Sequence, residues 1–380
     1  MSGEENRKTP VTLISGFLGS GKTTFLNYIL TENHGKKIAV IQNEFGQGIG
    51  IETAMIVGED GSKVSEWLEF PNGCICCTVK DDFIQSIENM LSKRSFDYIL
   101  IESTGMGDPG QISSSLWVDE GLESPIYLDS IITLVDSKNI LKQIEQGERN
   151  RIKQQTSAVV VEEDGGEEEG GGSEPPPLKE TEAERQIAFA DVILLNKVDL
   201  VDEQQIQRVR AKVQDINPLA TIFVTQKSVV DLDKVLSIQQ YKPNVDIIKN
   251  YKAAAASGVC SDSSCSDQEH QHHNHQHGSE SVHSNRINTI CVEKSGSVGL
   301  TDMNRWIGSI VWSEYQDKVF RCKGLISIDG NEYKHILQGV YETFEILQSD
   351  IKWLPNEERI NKLVFIGECG DMHNLRQDLA

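Results

Sequence analysis

The apolar run Val11–Ser15 passes without a break into Gly16-Phe17-Leu18-Gly19-Ser20-Gly21-Lys22-Thr23-Thr24 and on into Phe25-Leu-Asn-Tyr-Ile-Leu30. A strand, a glycine-rich turn and an amphipathic helix in that order leave a chain few architectures. The motif follows a strand and opens a helix, and the glycines let backbone amides turn inward around an anion. The helix brings its positive end to the same point. Residues 16–24 are therefore the expected phosphate cradle. Lys22 is placed to bridge the β- and γ-phosphates, and the Thr23 hydroxyl to ligate Mg2+.

The rest of residues 1–250 fits that start. Short Val/Ile/Leu-rich runs at Val11–Ser15, Lys37–Gln42, Tyr98–Glu102, Ile131–Val135, Val192–Leu195 and Ile222–Thr225 alternate with amphipathic stretches. This is the pattern of a mostly parallel sheet buried on both faces by helices, an α/β nucleotide-binding domain. Helices are expected to begin at Lys22, Asp81, Asp202 and near Val230.

Two strand ends carry further chemistry. Asn196-Lys197-Val198-Asp199 follows the strand Val192–Leu195 directly, at the carboxyl edge where such sheets bind ligands. The Asp199 carboxylate can accept from both N1–H and the exocyclic amine of guanine, whereas adenine would leave it unpaired. The nucleotide expected is GTP, with Asn196, Lys197 and Asp199 as its base contacts. Glu102-Ser-Thr-Gly105 closes another strand. Glu102 can order the Mg2+ shell or the attacking water, and the Gly105 N–H can reach the γ-phosphate. No Gln stands beside that glycine to position water, so intrinsic hydrolysis should be slow.

Asn72-Gly-Cys74-Ile-Cys76-Cys77-Thr places three thiols within four residues. Thiolates at that density suit a soft metal, and Zn2+ prefers four ligands, so three leave one position open. Glu44, just past the second strand, is the further ligand to test. A separate tract, His270-Gln-His-His-Asn-His-Gln-His277 with His283 beyond, could hold Zn2+ or Ni2+ loosely.

Composition divides the chain and excludes partners. Of a formal charge of −22, residues 162–184 supply −9, with ten acids against Lys179. That Glu/Gly/Pro-rich stretch reads as an unpacked insert. The acidic balance argues against nucleic acid, and no apolar run approaches membrane-spanning length. With a polar N-terminus and no secretory pattern, the eight cysteines belong to a reducing compartment, the cytoplasm, with a nuclear pool also open. Residues 251–285 read as a His-rich linker. Residues 286–380 read as a smaller α+β domain of ferredoxin-like order: a strand Ile287–Val292, a helix Thr301–Tyr315, strands Val319–Ile328, Lys334–Leu347 and Lys362–Ile366, with helices on one face.

With these residues placed, the chain resembles the CobW-type P-loop GTPases, and within them the eukaryotic zinc-regulated GTPase metalloprotein activators. The resemblance is carried by GFLGSGKTT (16–24), VIQNEFG (40–46), EWLEFPNGCICCTVKDD (66–82), DYILIESTGMGDPG (97–110), LDSIITLVDSKN (128–139), QIAFADVILLNKVDL (186–200), FRCKGLISI (320–328) and ILQGVYETFEI (336–346). It implies a GTPase that binds Zn2+ and hands it to a client metalloenzyme, with the C-terminal domain assisting client contact. Animal relatives dock on methionine aminopeptidase through an acidic, Cys-Pro-containing N-terminal extension. Here about ten residues precede the first strand and that motif is absent. Two other functions remain open at this stage: a passive zinc buffer or sensor built on the His tract, and a cobalt-handling GTPase chaperone.

Overall fold

The computed structural model describes residues 8–32, 35–42, 53–57, 63–64, 80–116, 125–147, 149, 182–243 and 287–368. Cys74, Cys76, Cys77, Glu44 and the His tract 270–283 lie outside the described residues.

The first sheet contains β1 (Thr9–Ser15), β2 (Ile38–Gln42), β3 (Thr53–Val57), β4 (Lys63–Val64), β5 (Tyr98–Glu102), β6 (Ile126–Asp136), β7 (Val192–Asn196) and β8 (Thr221–Val224). They lie in the order β4-β3-β2-β5-β1-β6-β7-β8. The six strands from β2 to β8 run parallel, and the pair β3–β4 joins antiparallel at the β2 edge. β3 and β4 were not expected from the sequence. β6 begins five residues earlier than expected, because Asp129 and Ser130 are buried there in a hydrogen-bonded network. Tyr98 Oη donates to Asp129 at 2.5 Å, and Thr12 Oγ1 lies 3.0 Å from Ser130 Oγ.

Alternation along the central strands divides the core into two layers. Ile14, Val40, Leu100, Ile132, Leu134 and Leu194 face α1 (Lys22–Thr31). Leu13, Ile99, Ile101, Ile131, Ile193 and Leu195 face the opposite way. That second layer is covered by α2 (Lys80–Lys93), α3 (Pro109–Leu116), α4 (residues 140–147), α5 (Glu182–Phe189) and α6 (Glu203–Ile216). α6 starts where expected, with the Asp202 side chain accepting from Gln205 N at 2.8 Å. The helix expected near Val230 does not form. Asp231 instead caps a single 3-10 turn, Leu232–Lys234, and left-handed residues follow at Ser237 and Gln239. The insert expected over 162–184 meets regular structure at its end, where Glu182 and Glu184 open α5 and Glu184 lies buried 3.7 Å from Lys212.

The second sheet holds β9 (Ile287–Ser295), β10 (Val319–Ser327), β11 (Tyr333–Val340), β12 (Thr343–Lys352) and β13 (Ile360–Glu368), ordered β12-β11-β10-β13-β9 with every neighbour antiparallel. β9, α7 (Leu300–Ser309) and β10 form a split βαβ unit with β13 inserted between the two strands. The expected helix to Tyr315 ends as α7 followed by a π turn, Ile310–Glu314. The single strand expected over Lys334–Leu347 is instead a hairpin that reverses at Tyr341-Glu342. Its turn lacks the Asn-Gly or Asp-Gly that would have marked it.

One face of this sheet packs on α7 through Cys322, Ile326, Leu337, Leu363 and Phe365. Much of the other face is covered as well, although Glu293 of β9 stays exposed. Ile287, Phe320, Val340, Val364 and Ile366 belong to the same apolar cluster as the nucleotide sheet and its helices α3, α5 and α6. Buried charge fixes the register of the two units. Asp191, at the foot of β7, pairs with Arg321 and, at 3.1 Å, with Lys323, while Arg321 also donates to the Phe189 carbonyl.

Candidate functional site

The carboxyl ends of β1, β5, β6 and β7 converge on one edge of the first sheet, and the sequence-identified residues converge with them. Gly16, Gly19 and Gly21 have φ of 138°, 72° and 110°, conformations that favour glycine. A Cβ on Gly16 would meet the Leu134 carbonyl at 2.4 Å, and one on Gly21 would meet Asn196 Nδ2 at 2.4 Å. Lys22 is buried, and its Nζ folds back over the loop to the Gly16 carbonyl at 2.7 Å and the Phe17 carbonyl at 3.4 Å. Burial lowers the Lys22 pKa, and nearby Glu102 acts against that shift. Phe17 packs toward the core, whereas Leu18 is 59% exposed. The Ser15 and Ser20 hydroxyls are buried without a partner among the described residues. Orphaned polar atoms at a glycine-lined helix start fit a bound anion.

Thr23 Oγ1 donates to Glu102 Oε1 at 3.1 Å, so the two oxygens expected to shape a Mg2+ shell are already neighbours. Hard oxygen donors of this kind suit Mg2+, which binds one or two protein oxygens together with phosphate and water. The loop after Glu102 lies along the phosphate loop. Ser103 N donates to the Ile14 carbonyl at 2.9 Å, and a Cβ on Gly105 would meet Leu18 Cδ2 at 2.5 Å.

Asn196 ties the end of β7 to the glycine-rich loop and to the loop after β8. Its Nδ2 donates to the Ser20 carbonyl and to Ser228 Oγ, both at 2.9 Å, and its Oδ1 accepts from Ser228 N at 2.9 Å. Lys197 adopts φ 62° and pairs with Asp136 at 2.8 Å. Burial alone would raise the Asp136 pKa, but bonds from Lys197 and Asn139 hold it below the usual carboxylate range. Asp199 sits exposed on the short turn Val198–Leu200 at the same edge.

The sequence reading missed the loop after β8. Thr225 and Ser228 are buried against Asn196, and Lys227 and Ser228 are left-handed. The available signal was position: β8 is the next parallel strand beside β7, and the polar run Thr-Gln-Lys-Ser leaves its carboxyl end. Gln186, on α5, was also missed, and its Nε2 donates to the carbonyls of Gly105 and Gly107, each at 3.2 Å. Among the described residues no group of three or more His, Cys, Asp or Glu side chains could hold a metal ion, and the expected zinc ligands lie outside them.

Residues 10–224 match the family described as CobW/HypB/UreG, nucleotide-binding domain, and residues 287–380 match the cobalamin synthesis protein CobW C-terminal domain. The chain belongs to the CobW-type P-loop GTPases. Among CobW relatives, the zinc-regulated GTPase metalloprotein activator 1 of Saccharomyces cerevisiae is 30% identical, over 98% of this chain and 83% of its own. The zinc chaperone YjiA of Escherichia coli is 28% identical over 94% of this chain and 93% of its own. The crystal structure of Zn(II)-bound YjiA GTPase superimposes with a TM-score of 0.65 at 25% identity, covering 98% of each chain. The CobW domain pair thus accounts for both sheets. No helix among the described residues is long and apolar enough to cross a membrane.

Proposed function

We propose that this protein is a nucleotide-controlled zinc chaperone. Cys74, Cys76 and Cys77, with Glu44 as a fourth donor, hold Zn2+, and the ion passes to a client metalloenzyme when the nucleotide changes. Lys22, Thr23, Glu102 and Gly105 act on the phosphates, and Asn196, Lys197 and Asp199 on guanine.

The observation that carries this reading is a strand register. Gln42, the last residue of β2, pairs with Glu102 of β5, the carboxylate that accepts from Thr23. Glu44 follows only two residues later in sequence, so the chain that leads to this one proposed ligand leaves β2 from beside Glu102. In a relative, the crystallised Zn(II)-bound YjiA forms include one with a glutamate and two adjacent cysteines replaced by alanine, so that trio was singled out there although zinc still binds without it. Glu44, Cys76 and Cys77 repeat that trio of residue types. The names of the relatives, zinc-regulated activator and zinc chaperone, favour zinc over cobalt as cargo.

Methionine aminopeptidase is the client we put forward for test, alongside other enzymes whose empty site offers thiol, imidazole or carboxylate donors. Moving zinc from 99% held to 99% released takes about 5.5 kcal/mol of differential affinity between two states. A lost thiolate contact and a competing client ligand together are of that order. The test is zinc affinity on one preparation in three states: nucleotide-free, GDP-bound and bound to a non-hydrolysable GTP analogue. The affinities should differ by at least about tenfold, since a 1.4 kcal/mol difference between states already gives that ratio. Equal affinities in all three states refute nucleotide control. Deleting residues 260–283 should leave one tight zinc equivalent, whereas a buffer would lose most of its metal.

A further inference from the structure

The loop joining β5 to α3, residues 103–108, touches the phosphate cradle at one end and the C-terminal sheet at the other. At the near end it lies on Ile14 and Leu18, as described above. At the far end Asp108 Oδ2 accepts from Tyr341 Oη at 2.6 Å and from Arg185 Nη1 at 3.3 Å. Asp108 Oδ1 accepts from Gly110 N at 2.8 Å and so starts α3. Between these ends the buried Gln186 side chain holds the carbonyls of Gly105 and Gly107. Arg185 and Gln186 are consecutive on α5, so one turn of helix grips both parts of the loop. Arg185 continues outward to Glu368 of β13 at 3.5 Å and lies over the Phe320 ring at 5.0 Å.

Two backbone features show that this contact is built rather than incidental. Tyr341 stands at φ 51° in the turn between β11 and β12, a conformation that side chains other than Gly, Asn and Asp enter at a cost. Hairpin turns ordinarily place glycine at such positions, yet here the residue is the one whose hydroxyl reaches Asp108. On the other side a Cβ on Gly110 would lie 2.3 Å from Tyr341 Cε2 and 2.3 Å from Phe189 Cζ, so only glycine admits the ring this close. Burial, and then the Asp108 carboxylate, push the Tyr341 phenol well above its usual ionisation range, which keeps it a donor at neutral pH.

We propose that Tyr341, Asp108, Arg185 and Gln186 are positioning residues for GTP hydrolysis, through which the C-terminal sheet sets the conformation of loop 103–108. The inference rests on the reading of Gly105 as a γ-phosphate contact. A partner that grips the C-terminal sheet would then alter turnover without touching the nucleotide. By linkage the GTP-bound state would in turn alter affinity for that partner.

Tyr341→Phe removes one hydroxyl and leaves the ring packed on Phe189 and Phe320, at centroid distances of 5.0 and 5.9 Å. In the full-length protein its kcat for GTP should fall roughly tenfold, the scale of a sub-ångström misplacement at a reacting group. KM for GTP and affinity for GDP should hold within about twofold, because the β-phosphate and base contacts lie elsewhere. Gln186→Met, which removes both carbonyl contacts at similar volume, should lower kcat further with the same split. Unchanged or faster turnover in both variants overturns the proposal. A parallel loss of GDP affinity does so too, since that marks a merely structural contact. Gly105→Ala separates the premise from the inference. Intact turnover there removes the γ-phosphate reading and the latch together. Loss of turnover there, with Tyr341→Phe and Gln186→Met unaffected, removes the latch alone.

Discussion

Asp191→Asn is the substitution to which the two-sheet arrangement is most sensitive. The Asp191 side chain is 0% exposed, that of Arg321 1% and that of Lys323 7%, so one carboxylate faces two cations away from water. Its second oxygen accepts from Ile131 N at 2.9 Å. Burial alone would raise the Asp191 pKa, but Arg321 and Lys323 hold it below the usual carboxylate range. Asparagine keeps the size and one acceptor but removes the charge. Lys323 can respond by releasing its proton, whereas Arg321 cannot. Breaking a buried pair in this way costs about 3–5 kcal/mol, a large share of a total stability of roughly 5–15 kcal/mol. The thermal midpoint should drop by about 10 °C. Urea unfolding monitored by intrinsic fluorescence gives the free energy directly. A triple variant, Asp191→Leu with Arg321→Met and Lys323→Met, should recover most of the loss, because it removes the unpaired charge along with the pair. A cost below about 1 kcal/mol for Asp191→Asn, the range of an exposed pair, would refute the claim that this cluster is dry and joins the two sheets.

The same cluster sets a pH dependence. Burial and then Arg321 push Lys323 down to about 8 from its ordinary 10.5, despite Asp191. The unfolded amine keeps its proton between these values while the folded one has released it, so stability should rise with pH from about 8 to 10.5, by on the order of 3 kcal/mol. Lys323→Met should flatten that slope in a urea series. Asn196→Ala removes the tie between the phosphate loop and the Ser228 loop. It should weaken GDP and GTP-analogue binding together, by roughly tenfold to a hundredfold if one to two net hydrogen bonds are lost, as read by fluorescent-nucleotide titration. Gly110→Ala forces Phe189 and Tyr341 apart and should cost about 1–3 kcal/mol of stability, measurable in the same urea assay. An unchanged midpoint there would contradict the close approach of Tyr341 to α3.

What the sequence disclosed followed the range of the interaction. The phosphate loop, Asn196–Asp199 and Glu102 are local patterns at strand ends, and periodicity alone placed the six parallel strands. The hairpin turn was missed because Tyr341 occupies a position where glycine would have announced it. The 3-10 turn at Leu232 was read as a helix because its apolar spacing continues, while the contacts that end it come from Asp129, which accepts from the amides of Ile238 and Gln239. Gln186 was hidden because it stands on α5 close behind an acidic stretch, and its role depends on a loop nearly eighty residues away in sequence. The covered second face of the C-terminal sheet was illegible for another reason. Arg321 and Lys323 carry no local mark of burial, because the carboxylate they face, Asp191, stands 130 residues from Arg321 in sequence. The thiol segment is the converse case, plain in the sequence and outside the described structure.

The seam between the sheets also bears on how this molecule can be handled. Phe189 and Ile216 on one side, and Phe320, Val340 and Ile366 on the other, form a continuous oily layer across the boundary that the long histidine-bearing connector suggests. Severing the connector would therefore not yield two well-behaved halves. Each would carry a raw apolar wall, and the nucleotide half alone would be sticky, short of the support for its β5–α3 loop and a poor stand-in for the intact enzyme in any kinetic experiment.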